Sequence, residues 1–557
     1  MRIYIIICAV FTVAFIDRGL CFADTIHVPA DQPTIQAGID AAKNGDVVVV
    51  TPGTYVELIN FMGKAIEVIS SHGPALTSID GGDPPISHYK SVVTFTNDEG
   101  PDSVLNGFTV TNGDHFSYGG GIKCDSYTSP TLINNIITKN RAYSAGGVFS
   151  GYYSNPTILH CVISNNTALH EGGGLYVGMT GQAVLRNNWI VSNTAGNHGG
   201  GLLICGDAIV EDNIIANNTA SGDGGGINCC YGTCITSNSV MYNKANGYGG
   251  GIYCLSWGTV TNNSIIKNQA LYGGGICFQG EYVSIEGNCI AENEAWSGGG
   301  LFCTWNFEQP DHSTLTNNTF TRNSAAKGGG FYADIIQSDY PIVFSNCLFW
   351  DNDEQEIYLD LQLNNSITYF DHSLVKGGVS GIHLEPGNFI DWGAGMLDSD
   401  PMFVDTAAGD YHLTFNSPCR GSGTNDADGI PDVDIDGNPR IYQGTIDIGA
   451  DEFSPHFYCT GDFFPNGSIE GKLIGLPGTS PVGLCIGSSL IDPPVSTQWG
   501  LFHLGAPWLF VLLPPIPGEG VMVIPETIPT VPSGPYEVYG QALIGDELTL
   551  LQTINVF

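Results

Sequence analysis

Apolar and polar residues alternate in this chain over only four or five positions before the pattern breaks. Examples are TLINNIITKNRA from Thr131, AIVEDNIIANNTA from Ala208, TVTNNSIIKNQA from Thr259 and TLTNNTFTRNSA from Thr314. Runs this short predict strands and are too brief for helices of about 10 or more residues. Nine glycine clusters punctuate them, ending at Gly121, Gly147, Gly174, Gly201, Gly226, Gly251, Gly275, Gly300 and Gly330. The steps are 26, 27, 27, 25, 25, 24, 25 and 30 residues. A near-constant period of this size predicts a solenoid, in which each repeat buries its apolar face only against its neighbours. Leucine frameworks and 3.6-residue periodicity are both absent, which leaves a parallel β-helix.

Two asparagine columns mark the turns. One runs Asn135, Asn188, Asn213, Asn238, Asn263, Asn288, Asn318, Asn346, with Cys161 interrupting it in the second repeat. Five residues on, a second runs Asn140, Asn166, Asn193, Asn218, Asn243, Asn268, Asn293, Asn323. An alanine follows two residues later, from Ala142 to Ala325. Asparagine tolerates left-handed backbone angles, and its amides can bond to one another when stacked in successive coils.

After each glycine cluster the first residue is apolar in all nine repeats, from Ile122 to Phe331. The second position includes Phe149, Tyr176, Tyr253, Phe302 and Tyr332, and the third is Cys124, Cys229, Cys254 and Cys303 in four repeats. Strand alternation predicts the first and third columns inside and the second outside. The cysteines come singly, one per coil, so they read as small buried hydrophobes rather than metal ligands. The outward aromatics, with Tyr152, Tyr153, Trp257 and Trp305 in the loops beyond, are candidates for stacking against sugar rings. Covering of these aromatics by the following loops is the competing expectation.

Residues 1–23 read as a secretory signal peptide: Arg2, an apolar stretch from Ile3 to Ile16, and Cys21-Phe22-Ala23 before the cut. No other stretch is apolar enough to span a bilayer. Export makes disulfides feasible, with Cys459–Cys485 and Cys230–Cys234 the candidate pairs. Residues 24–110 are expected to form an N-terminal cap and irregular coils. Pro33 should sit in the first turn of a short helix with Ile35, Ile39 and Ala42 on one face, capping the open solenoid end. Regular repeats fill 111–380, terminal coils and an acidic segment 381–455, and a proline-rich β-sandwich-like domain 456–557.

The pattern Ile35, Gly45-Asp46, Pro52-Gly53-Thr54-Tyr55, Ile79-Asp80-Gly81 and Gly107-Phe108-Thr109, followed by the repeats, resembles the right-handed parallel β-helix, pectate-lyase-like superfamily. The glycine clusters paired with N-x-x-x-x-N-x-A also resemble repeats of polymorphic outer-membrane adhesins. Asp400-Pro401, Gly409-Asp410-Tyr411-His412-Leu413 and the stretch from Asp434-Ile435-Asp436-Gly437-Asn438-Pro439-Arg440 to Asp447-Ile448-Gly449-Ala450 are similar to a domain that follows such helices in bacterial surface proteins. The resemblance implies an all-β, right-handed parallel β-helix of about 12 coils. The superfamily spans polysaccharide lyases, hydrolases, esterases, epimerases and adhesins, so it does not select an activity.

Charge narrows the chemistry. With 17 Lys+Arg against 55 Asp+Glu and a net charge of −38, the chain is unsuited to nucleic acid or anionic membranes. Polyuronates would need calcium to bridge like charges. No cofactor is otherwise required. Asp426, Asp428, Asp432, Asp434 and Asp436 are the candidate calcium ligands, since Asp432-x-Asp434-x-Asp436-Gly437 matches the opening of a calcium loop. Pro439 and Gln443 depart from that pattern later. Lys123, Arg141 and Arg186 are read as lacking acidic neighbours one coil away. Glu211 and Glu286 fall three coils, roughly 14 Å, apart, too far for paired-carboxylate hydrolysis. The expected function is therefore non-catalytic, adhesin-like binding of a polysaccharide or cell-surface glycan by a secreted or surface protein. A polysaccharide lyase or glycoside hydrolase is the alternative, and a structural spacer the third.

Overall fold

The computed structural model describes residues 23–453, except 83–87, 281–282, 307–313, 338–341, 362–366 and 442–443, and the strand backbones beyond residue 455. The chain winds as a right-handed parallel β-solenoid. Sheet I has 15 strands, running from Thr25–Val28 to Phe389–Trp392. Sheet II has 13, from Gly53–Val56 to Leu374–Val375, and sheet III has 13, from Ile59–Asn60 to Ile382–Leu384. Every pairing within these sheets is parallel, and apart from a shift at the end of Leu301–Asn306 they are in register, so residues one repeat apart in sequence are neighbours in space. Thirteen rungs stand where about twelve coils were expected, and the 56–110 region contributes strands in step with the rest.

Inward positions form one continuous core. Ile122, Val148, Leu175, Leu202, Ile227, Ile252, Ile276, Leu301 and Phe331 are fully buried, and Cys124, Cys229, Cys254 and Cys303 lie beside them. Burial pushes the Cys124 and Cys303 thiols well above the usual range, which keeps them protonated and inert.

Turns are held by the asparagines. The Asn218 side chain donates to Ile190 O at 2.8 Å and to Asn243 Oδ1 at 3.0 Å. Its own Oδ1 accepts from the backbone and side-chain amides of Asn193 at 2.9 and 3.1 Å. This unit repeats coil after coil, satisfying buried backbone groups that lie between strands. The residue before each first-column asparagine takes left-handed angles, as at Asn134, His160, Asn187, Asp212, Ser237 and Asn262.

That geometry corrects one column. Asn346 has φ 52° and occupies the left-handed position, while Cys347 takes the ladder site next to the stacked Asn318. Its amide donates to Ser373 Oγ, and its thiol contacts Leu315 O. The second column instead runs one residue further, to Asn352, which bonds Asn323 and ends on Glu356. Glycine is required in the clusters because consecutive coils touch there. A Cβ on Gly201 would lie 2.6 Å from Gly226 O.

The solenoid opens with a helix, Ile35–Ala41, that buries Ile35, Gly38 and Ile39. Its N-cap is Thr34, whose hydroxyl accepts from Ala37 N at 3.1 Å, and Glu57 receives the Ile35 and Gln36 amides. Pro33 thus lies before the cap rather than in the first turn, and Ala42 is the C-cap. At the other end, residues 400–453 fold back as a strap over the outer face of sheet II. Leu348 and Leu374 pack with Leu413, Cys419, Ile448 and Phe453 of the strap. Cys289 and Ala291 pack with Tyr411 and Ala450. No described helix is long and apolar enough to cross a membrane. The signal-peptide reading and the Cys459–Cys485 pair lie outside the residues whose side chains are described.

Candidate functional site

Outward positions of sheet III stack in the order expected. Phe149 pairs in register with Tyr176, and Tyr253, Cys277, Phe302, Tyr332, Tyr358 and His383 follow one another on successive coils. Leu203 and Asn228 separate the two groups. The column is not an open platform, however. Phe302 is 4 % exposed and Tyr332 6 %, and Phe149 and Tyr253 are also buried, while Tyr176 is half-buried. Tyr118 stacks on Phe149 at 4.7 Å, and Tyr248 and Tyr272 lean over Tyr253 and Phe302 from the preceding turn. Rings on a parallel sheet also cover each other, because the inter-strand spacing of about 4.8 Å nearly matches stacking distance.

What this column presents is its polar edge. Tyr253 OH donates to Gln279, Tyr332 OH to Asp360 at 2.9 Å, and Tyr358 OH to Glu385 at 3.2 Å. Two residues past Cys277, Phe302, Tyr332 and Tyr358, a second outward column runs Gln279, Thr304, Asp334 and Asp360 in register. Asp334 and Asp360 therefore face outward on adjacent strands. Burial, reinforced by the charge of Asp360 and opposed by Lys327, raises the Asp334 pKa. Lys327 sits 5.0 Å from the Tyr358 ring centre. This carboxylate column was missed in the sequence. Its signal was there, two residues past Tyr332 and Tyr358.

Solvent-facing aromatics lie at the next corner, where sheet III turns toward sheet I. Tyr127 is 66 % exposed and Trp257 56 %, and Tyr152, Tyr153 and Tyr231 are exposed between them. Tyr127 and Tyr153, from adjacent coils, stack at 5.0 Å with an interplanar angle of 2°. The loop residues Tyr152, Tyr153 and Trp257 are thus solvent-exposed, whereas the side chain of Trp305 is outside the description.

The acidic segment behaves differently from a calcium loop. Asp426, Asp428 and Asp432 are exposed and do not converge. Asp434 is buried and engaged, accepting from the Asp436 and Asn438 amides at 3.0 and 2.8 Å and from Glu452 N at 3.2 Å. Gln443, the residue in place of the loop's final glutamate, lies outside the described residues. Of the five, only Asp436 joins a convergent set, with His412 and Asp451. Burial alone would favour a neutral His412 ring, but Asp436 and Asp410 outweigh it and hold its pKa well above the usual value.

Arg141 and Arg186 do have acidic neighbours one coil away. Arg186 pairs with Glu211, its register partner, and Arg141 lies 3.9 Å from Asp114. Lys123 bonds Asp125 on its own coil at 3.1 Å, and its neighbours one coil away, Thr94 and Phe149, are uncharged as expected. The two arginine pairs join register partners on adjacent coils and are surface pairs of little energetic weight. Glu211 and Glu286 are three coils apart, with Thr236 and Thr261 between. Cys230 and Cys234 are free thiols on opposite sides of a corner. The sulfur nearest Cys230 is that of Cys205, 3.4 Å away on the neighbouring coil.

Known proteins bear on the fold. Residues 91–270 and 250–391 match the family described as right handed beta helix region. No curated protein matches the chain. Among solved structures, the chain is similar to the tailspike protein of Acinetobacter phage vB_ApiP_P1, at 12 % identity and TM-score 0.23, over 90 % of this chain and 82 % of that one. It is also similar to the enzymatically active domain of bacteriophage CBA120 tailspike protein 4, at 10 % identity and TM-score 0.16, over 92 % and 64 %. Likeness at that level says nothing of what this chain binds. The repeated winding, the asparagine turns and the match over more than half of its length make this chain a member of the right-handed β-helix family.

Proposed function

We propose that the protein is a secreted or surface-associated glycan-binding protein that lays an extended sugar chain along the corner between sheets III and I. The observation that carries the reading is the stripe of exposed rings, Tyr127, Tyr153, Tyr231 and Trp257, one per coil on four of the coils. Aromatic faces pack against the apolar faces of sugar rings. The rings form two exposed pairs, Tyr127 with Tyr153 and Tyr231 with Trp257, separated by two coils that carry Met179 and Asp207 at this corner. Further along the axis, Asp334, Asp360 and Gln279 supply acceptors for sugar hydroxyls beside the tyrosine edges. The strongly negative surface favours neutral or cationic glycans over polyuronates. No cofactor enters this reading.

The test is a glycan-array screen followed by affinity electrophoresis of Trp257→Ala and the Tyr127→Ala/Tyr153→Ala double variant. Retention should fall about tenfold in each, the equivalent of ~1.4 kcal/mol, with an unchanged melting temperature. Unchanged retention in both removes the corner from the assignment. Tyr253→Ala and Phe302→Ala are poorer probes, because both rings are buried and their loss costs stability first.

A second reading, glycoside hydrolysis, has one observation in its favour. Asp334 and Asp360 stand on adjacent rungs, about 4.8 Å apart along the axis, near the carboxyl separation of retaining enzymes. The raised pKa of Asp334 suits a proton donor. New reducing ends that vanish in Asp334→Asn would select this reading over simple binding.

A further inference from the structure

The strap brings together three residues from three separate stretches of sequence: His412 from DYHL, Asp436 from DIDGNPR and Asp451 from DIGADE. Their ligand atoms all lie within 4.8 Å of one another. His412 Nε2 and Asp436 Oδ2 are 3.0 Å apart, close to the separation of about 3.0–3.4 Å that two ligands at about 2.1 Å from a single metal ion adopt. On the other side of the ring, Asp410 Oδ1 lies 2.6 Å from His412 Nδ1, and the Asp410 side chain is fully buried. A carboxylate behind a histidine, fixing its tautomer and aiming the far nitrogen, is the outer-shell arrangement of metal-bound imidazole. Asp451 is oriented as well, since its Oδ2 accepts from Leu413 N at 2.6 Å.

We propose that His412, Asp436 and Asp451 bind a divalent transition-metal ion of the zinc class, with Asp410 as the positioning residue. The imidazole favours such an ion over calcium or magnesium, which prefer all-oxygen shells. The alternative, a bare imidazolium serving the cluster, leaves one positive charge facing Asp410, Asp436 and Asp451. Arg440, the strap's buried guanidinium, donates to the carbonyls of Asp447, Gly449 and Ala450. A divalent ion would balance the cluster and tie the Asp410–Leu413 strand to the 434–438 turn and the 447–453 segment. Three protein ligands leave a coordination position open. It faces a cleft of about 290 Å³ lined by Ser239, Ser264, Thr319 and Tyr411, where water or an oxygen-donor ligand would complete the shell.

The experiment uses full-length protein stripped with chelator and titrated with Zn²⁺ against a chromophoric competitor, then with Co²⁺ for its visible absorption. Wild type should take up one more tight equivalent than Asp436→Asn. Co²⁺ should give the intense bands of a four- or five-coordinate ion only in wild type. Asp436 is partly exposed, so its amide variant should fold, as checked by an unchanged far-ultraviolet dichroism spectrum. Asp410→Asn should retain the site with affinity lowered about 10- to 100-fold. Equal Zn²⁺ uptake by wild type and Asp436→Asn, or a Co²⁺ spectrum identical in the two, overturns the proposal.

Discussion

In the coils, the backbone amide of Asn218 is received by Asn243, an identical residue one turn away. In the strap, the amide of Leu413 is received by the carboxylate of Asp451, 38 residues on. Both regions must satisfy buried backbone groups, but the solenoid does so by repetition and the strap by singular contacts. Arg440 bonds three carbonyls, Asp434 four donors, and Asp447 the Phe453 amide at 2.8 Å. Repetition spreads the burden over many equivalent sites and makes every coil depend on two neighbours. The strap's singular contacts include several to the coils it covers, such as Asn317 to the carbonyls of Asp447 and Gly449.

The sharpest way to break this comparison is inside the ladder. Asn243→Ala removes the acceptor for Asn218 and the donor to Ile215 O and Asn268, leaving several buried groups unmet. The expected cost is about 3–5 kcal/mol, felt as a lower melting temperature of the whole solenoid. Asp434→Ala should cost about 2 kcal/mol and act locally. Limited proteolysis would then cut within 400–453 while the solenoid's melting temperature holds. A fall in the main transition as large as that of Asn243→Ala would show that strap and coils unfold as one.

Glu356, where the second ladder ends, gives a pH handle. Burial raises its pKa to about 7, partly offset by hydrogen bonds from Asn352. A carboxyl that holds its proton more tightly when folded binds more protons in the native state between the unfolded value of 4.5 and about 7. Stability contributed by that proton is present at low pH and is lost as pH rises through this window, up to about 3 kcal/mol in full. Glu356→Gln should flatten the decline in melting temperature between pH 5 and 8. An identical pH profile in the variant would mean that Glu356 titrates normally. The smallest expected effect is that of Trp257→Ala on stability, within about 0.5 kcal/mol, since the ring is largely exposed.

Periodicity made most of the solenoid readable. The nine glycine clusters, the two asparagine columns and the inward aliphatic column are sequence facts that in-register stacking turns directly into structure. The slip at Asn346 arose because two asparagine-tolerant positions are adjacent, one left-handed and one in the ladder, and only the pairing of Cys347 with Ser373 separates them. The candidate binding surface was half readable. Alternation places Tyr253, Phe302 and Tyr332 on the outside of the sheet, but it carries no information on Tyr248 and Tyr272 folding over them.

The strap lay furthest from what sequence can decide. Its acidic motif reads equally as a calcium loop or a solvated turn until the fold places Asp434 against backbone amides and Asp436 beside His412 and Asp451. Local spacing determines a structure that repeats, because every residue's neighbours are known once the period is known. Where the chain does not repeat, residues such as His412 and Asp451 meet only through packing on Leu348, Leu374 and Cys289, and tertiary structure alone brings them together.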